Sequence, residues 1–144
     1  MIGVDTNILV YAHRRDSAWH VPAANAIARL AQGQARWALP WPCVHEFFGI
    51  VTHPRIYNPP SSLDRAIDQV DAWLECPSVE PIGEEIGYWD KLRELLRHGK
   101  VTGPRVHDAR IAALCLLHGV RELWSADRDF GRFPQLVTKN PLLP

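Results

Sequence analysis

Met1-Ile2-Gly3-Val4-Asp5-Thr6-Asn7-Ile8-Leu9-Val10-Tyr11-Ala12-His13 sets an apolar triplet, an acid and a second apolar run in immediate succession. Ile2 to Val4 reads as a short buried strand that stops at Asp5. Asn7 to His13, with Ile8, Leu9 and Tyr11, reads as a short helix. The rest of the chain repeats this alternation. Ser17-Ala18-Trp19-His20 opens a longer helix with Ala24, Ile27, Ala28, Leu30 and Ala31 at helical spacing, and Gly33 suits its C-cap. Arg36 to Leu39 is a strand. Pro40-Trp41-Pro42 starts a helix through Val44, Phe47, Phe48 and Val51, which must end near His53 because Pro54 follows.

Residues 54 to 62 are the clearest loop. Ser62 caps a helix through Leu63, Ile67, Val70 and Leu74. Val79 to Ile82 is a strand. Glu84 to His98 is a helix with acids in its first turn and Arg93, Arg97 and His98 near its end, as the helix dipole favours. Gly99 to Pro104 is a second loop. Val106 to His118 is a helix stopped by Gly119. Leu123-Trp124 is a strand, residues 127 to 133 a turn or short helix, and Leu136-Val137 a last strand. Strands alternating with helices predict an α/β protein: a central parallel sheet of about five strands covered by helices on both faces, in three α/β/α layers.

The 144 residues fit one domain, 1–144. Hydrophobic residues make up 47% and charged ones 22%, too apolar for disorder. Sixteen basic residues balance sixteen acidic ones, which excludes a module gripping nucleic acid through overall charge but leaves room for a local basic rim. Cys43, Cys76 and Cys115 form no CxxC pair, against a zinc ribbon or a disulfide framework. Asp5 stands where a signal peptide needs basic residues followed by an apolar run. No run of about 18 apolar residues offers a membrane span. A reduced, cytoplasmic protein is expected.

In open parallel sheets ligands bind beyond the carboxyl ends of the strands. Asp5 directly follows the first strand and Asp127 follows Leu123-Trp124 by three residues, so both belong on that edge. Two more acids sit in apolar helices, where exposure is not expected: Glu46, among Cys43, Val44, Phe47 and Phe48, and Asp108, ahead of Ala109, Ile111 and Ala112. Each alone reads as a capping, turn or solvent-facing residue. Together, carboxylates on one edge repel and raise one another's pKa unless a cation lies among them. Oxygen-only ligands select a hard ion, Mg²⁺ or Mn²⁺, which suits phosphate chemistry.

Val4-Asp5-Thr6-Asn7, Glu46, His107-Asp108-Ala109-Arg110-Ile111-Ala112-Ala113 and Ser125-Ala126-Asp127-Arg128-Asp129-Phe130, in that order, resemble the PIN-domain ribonucleases. More closely they resemble the VapC-type toxins of bacterial type II toxin–antitoxin pairs, in a form common in mycobacteria. The similarity spans essentially the whole chain. It implies a metal-dependent endoribonuclease, a homodimer, inhibition by a small cognate antitoxin in a heterotetramer or larger assembly, and strand order 3-2-1-4-5. Asp5, Glu46, Asp108 and Asp127 then form the catalytic acidic quartet, with Asp129 an additional acid. Ser125 stands where the family often has Thr and keeps the hydroxyl. Asp5 and Asp108 are the expected direct ligands, completed by Asp127 and Asp129. Glu46 holds a water or a second ion and accepts a proton from the attacking water. Thr6, Asn7 and Ser125 orient these groups. Attack by a metal-activated water leaves 5′-phosphate and 3′-hydroxyl ends.

Arg14, Arg15, Arg105, Arg110, Arg128 and Arg132 lie near these acids in sequence and are candidate phosphate contacts. The alternative for each is pairing with a neighbouring acid. His45 and His107 adjoin site acids, but adjacent helix positions point about 100° apart. Six tryptophans read as core or interface. The rival functions are a PIN-like nuclease of RNA maturation or DNA, a binding module that keeps the fold without the chemistry, and a phosphatase or phosphoacceptor-Asp domain, which would need a Lys after a late strand where Lys91, Lys100 and Lys139 do not stand.

Overall fold

The computed structural model describes all residues, 1–144. Five strands form one sheet: β1 (Ile2–Val4), β2 (Trp37–Pro40), β3 (Val79–Ile82), β4 (Glu122–Trp124) and β5 (Val137–Lys139). All pairings are parallel, in the order β3-β2-β1-β4-β5. Six helices flank it: α1 (Thr6–His13), α2 (His20–Gln32), α3 (Trp41–Val51), α4 (Leu63–Leu74), α5 (Tyr88–Gly99) and α6 (Val106–Leu117).

The strand order and the right hand of parallel crossovers place the helices. From β1 to β2 to β3 the chain steps in one direction, so α1 to α4 cover one face. From β3 it returns across the sheet to β4, so α5 and α6 cover the other. α1 packs on α2 and α3, and α5 packs on α6. The direction reverses between β1 and β4. Their carboxyl ends therefore open a crevice at the centre of the sheet, the place where this class of fold binds ligands.

The central strands are buried on both faces, which explains their uninterrupted apolar sequences. Val4, Leu123, Trp37, Ala38 and Leu39 are all buried. Gly3 lies in close packing, where a side chain would make its neighbours give by a few tenths of an ångström. A Cβ there would lie 3.1 Å from Val120 and 3.5 Å from the Cys115 sulfur. On the first face Phe47 of α3 packs edge-on against Trp73, Phe48 and His13. Trp37, Trp73 and Trp124 are core residues, whereas Trp19, Trp41 and Trp89 are exposed.

The expected boundaries shift by a residue or more in several elements, most plainly in three. α5 begins at Tyr88 rather than Glu84, because Gly87 adopts a left-handed φ of 91° and interrupts the helix. β2 runs Trp37–Pro40, one residue later than expected. The last strand is Val137–Lys139 rather than Leu136-Val137, a register fixed by pairing of Glu122 with Val137 and Trp124 with Lys139. No helix is long and apolar enough to cross a membrane.

Candidate metal centre

Asp5 ends β1 and caps α1, its Oδ1 accepting from the Thr6 amide at 2.8 Å. The side chain is buried, 5% exposed. The fold meets the cost of that burial with donors. Ser125 Oγ donates to Asp5 Oδ2 at 2.6 Å, Asn7 Nδ2 lies 3.4 Å from the same oxygen, and the Cys43 thiol lies 3.7 Å from Oδ1. Burial still dominates and pushes the Asp5 pKa up to about 6, against the lowering effect of Ser125 and Thr6. The Glu46 and Asp108 charges push it the same way.

Ser125, just past β4, joins the two central strands. Its Oγ donates to Asp5 and accepts from Asn7 Nδ2 at 3.3 Å and from the Asp127 amide at 2.9 Å. One hydroxyl donor and two acceptor sites are all used. Asn7 reaches back across the crevice, its Oδ1 accepting from the Ala126 amide at 3.1 Å. The segment carrying Asp127 is thereby tied to α1. Asp127 Oδ1 in turn accepts from the Asp129 amide at 2.8 Å, which starts a 3-10 turn over residues 128–132.

Asp108, in the first turn of α6, comes to the same place from the other face. Carboxylate oxygens of Asp108, Asp127 and Asp129 all lie within 4.8 Å of one another. Partial burial raises the Asp108 pKa, and the facing charges of Asp127, Asp129 and Glu46 raise it further, while Arg105 partly offsets them. The tight trio does not include Asp5, which sits behind it beneath its four donors, nor Glu46. Three carboxylates at this spacing with no sulfur or imidazole among them have the donor chemistry of a hard divalent cation.

Glu46 corrects one expectation. It is exposed, because Cys43, Val44, Phe47 and Val51 supply the buried stripe of α3 and Glu46 falls on its flank beside the exposed His45. It still faces the site: Thr6 Oγ1 donates to its Oε2 at 2.9 Å. His107 is also exposed, and neither histidine joins the carboxylates.

The candidate arginines divide. Arg14 is spent on Asp16 (2.6 Å), the Pro59 carbonyl and Ser61, with its guanidinium 4.3 Å from the Tyr57 ring centroid. Arg110 is spent on Glu84 at 2.6 Å. Arg15 lies with Arg14 in a separate depression between α1 and α4. Arg128 is exposed in the turn between Asp127 and Asp129. Arg105 and Arg132 line a depression of about 500 Å³ directly beside Asp108 and Asp129. Lys100 and Thr102 join them there. Sequence reasoning missed these two, although the loop from Gly99 to Pro104 leads straight into the helix of Asp108.

The PIN domain profile matches residues 2–136. Among curated relatives, ribonuclease VapC48 of Mycobacterium tuberculosis is 31% identical over 137 residues, covering 95% of this chain and 94% of that protein. Ribonuclease VapC43 of the same species is 34% identical over 142 residues, covering 99% and 96%. The fold matches VapBC2 of Rickettsia felis, solved on a DNA fragment from their promoter, with a TM-score of 0.66, 22% identity and coverage of 97% and 98%. It also matches VapC20 of M. tuberculosis, a sarcin–ricin loop cleaving toxin, with a TM-score of 0.64, 18% identity and coverage of 91% and 93%. Profile, full-length relatives and sheet order agree, and the chain belongs to the PIN-domain family, in its VapC branch.

Proposed function

We propose that the protein is a metal-dependent endoribonuclease, the toxin of a toxin–antitoxin pair, cutting RNA phosphodiester bonds to leave 5′-phosphate and 3′-hydroxyl ends. The observation that carries the reading is the convergence of Asp108, Asp127 and Asp129 at the crevice between β1 and β4, against the buried Asp5. The relatives named VapC ribonucleases support the activity. Solved neighbours of the same fold are VapBC and FitAB assemblies, which supports a small antitoxin partner. A homodimer, joined with antitoxin into a heterotetramer or larger, and a cytoplasmic site of action belong to the same reading.

Asp108, Asp127 and Asp129 would hold Mg²⁺ or Mn²⁺, with Asp5 behind them adding negative charge. The ion supplies the positive charge that activates an attacking water and offsets charge on the phosphorus centre. The chain's own side chains do the rest. Ser125 fixes Asp5 and the Asp127 backbone together, so the acids on β1 and β4 keep one spacing. Thr6 holds Glu46 by Oε2, leaving Oε1 to accept a proton from the water. Asn7 braces the loop that carries Asp127.

The test is cleavage of RNA by the purified chain with Mg²⁺ or Mn²⁺, with EDTA, and in Asp5→Asn and Asp108→Asn, with end-group analysis of the products. Cutting that needs the ion and both acids, with 5′-phosphate ends, is expected. A 2′,3′-cyclic phosphate product sinks the mechanism. Unimpaired cutting in EDTA sinks the metal.

A further inference from the structure

The depression beside the acids is lined by Lys100, Thr102, Arg105 and Arg132 together with Asp108 and Asp129. Cations beside carboxylates ordinarily close onto them. Here they do not. None of Lys100, Arg105 and Arg132 takes part in the ion pairs of the protein, and none donates a side-chain hydrogen bond. Arg14 and Arg110, candidates by sequence alone, are both occupied. Two of the free cations are placed by the same turns as the acids. Arg105 precedes Asp108 by three residues at the start of α6, and Arg132 follows Asp129 by three residues in the 3-10 turn.

Lys100 adds an independent sign. It ends α5 in the left-handed region, φ 48° and ψ 48°, as the only non-glycine residue of the chain with positive φ. Glycine is the ordinary residue there, since any Cβ is strained. The chain instead keeps a long cationic side chain, and that side chain lines the depression. Strain held at a functional edge is retained when the side chain does something.

We propose that Lys100, Arg105 and Arg132 form a phosphate clamp that seats an RNA backbone phosphate next to the one being cut, so that the bound strand runs from the acidic trio over the turn between α5 and α6. The clamp rests on the ribonuclease reading and adds the path of the substrate to it. Two guanidinium forks and a mobile ammonium suit phosphate oxygens and carry no base information. The clamp therefore sets affinity and register, while the choice of sequence is made elsewhere.

The experiment is binding of a short labelled single-stranded RNA to the full chain in EDTA, over a range of KCl concentrations, alongside steady-state cleavage with metal. Lys100→Ala, Arg105→Ala and Arg132→Ala are each expected to weaken binding. Each should lower the slope of log K against log salt by about 0.7, the contribution of one phosphate contact on a single strand. KM should rise with kcat near wild type. Arg110→Ala, already paired with Glu84, should leave both unchanged. Lys100→Gly separates clamp from scaffold: its melting temperature should rise as the left-handed strain is relieved, while RNA binding falls. Unchanged salt slopes in all three alanine variants would overturn the clamp while leaving the nuclease. Wild-type chain that neither binds nor cuts RNA with metal present would overturn the ribonuclease reading, and the clamp with it.

Discussion

Ser125 Oγ lies 2.6 Å from Asp5 Oδ2, a hydrogen bond between residues 120 apart that fastens the end of β4 to the end of β1. The same hydroxyl receives Asn7 and the Asp127 amide, so one atom sets the relation of three groups at the crevice. Ser125→Ala removes the donor to a buried carboxylate, leaves the Asp127 amide without its acceptor and costs Asn7 one of its two. A loss of about 1–3 kcal/mol in urea denaturation is expected, with a fall in cleavage. Ser125→Thr restores the hydroxyl and should keep most of both. Equal behaviour of the two variants would show that the hydroxyl does not organise the site.

Asp5 makes the metal-free protein less stable as pH rises. Its folded pKa of about 6 lies above the ordinary 3.8 of an unfolded chain, so the fold favours the neutral acid. Below the unfolded value both states hold the proton and there is no penalty. The penalty grows as pH climbs from about 4 to about 6 and is full above that, on the order of 3 kcal/mol. Urea denaturation in EDTA should show this decline. It should be missing from Asp5→Asn, which cannot ionise.

A divalent ion should reverse the trend. Mg²⁺ or Mn²⁺ bound among Asp108, Asp127 and Asp129 relieves their mutual repulsion and the raised pKa of Asp108. At a hundredfold excess over its dissociation constant a ligand stabilises by about 2.7 kcal/mol. The melting temperature should therefore rise with added metal, more at neutral pH than near pH 5. Asp108→Asn and Asp127→Asn should abolish the rise.

Arg110→Ala tests an apparent site residue that the fold uses otherwise. Its pair with Glu84 is more than a third exposed on both sides, so its loss should cost less than about 1 kcal/mol. Cleavage should stay near wild type. A large loss of activity would place Arg110 in the substrate path.

Most of the architecture could be read from local patterns. Strands such as Trp37–Pro40 are apolar throughout because both faces are covered, and proline and glycine mark where helices stop. Asp5 and Asp127 were legible because each follows a strand at the edge where this fold works. What sequence could not supply was contact between distant segments. Nothing local announces that Arg110 meets Glu84, 26 residues away, or that Lys100 closes a helix in a glycine conformation. Glu46 shows the limit within one helix. An acid in an apolar run looks buried until the helix axis is fixed, and its neighbours Val44 and Phe47 take the inner face.

The centre of the sheet pairs the second to fourth residues of the chain with residues 122 to 124. Loop closure over that distance makes this pairing an expensive one to form early. A chain still being synthesised holds Asp5 and Glu46 long before Asp127 and Asp129 exist, and has no β4 to bring them together. The carboxylate set is thus incomplete in a growing chain until the segment from β4 to Asp129 has been made and has paired with β1.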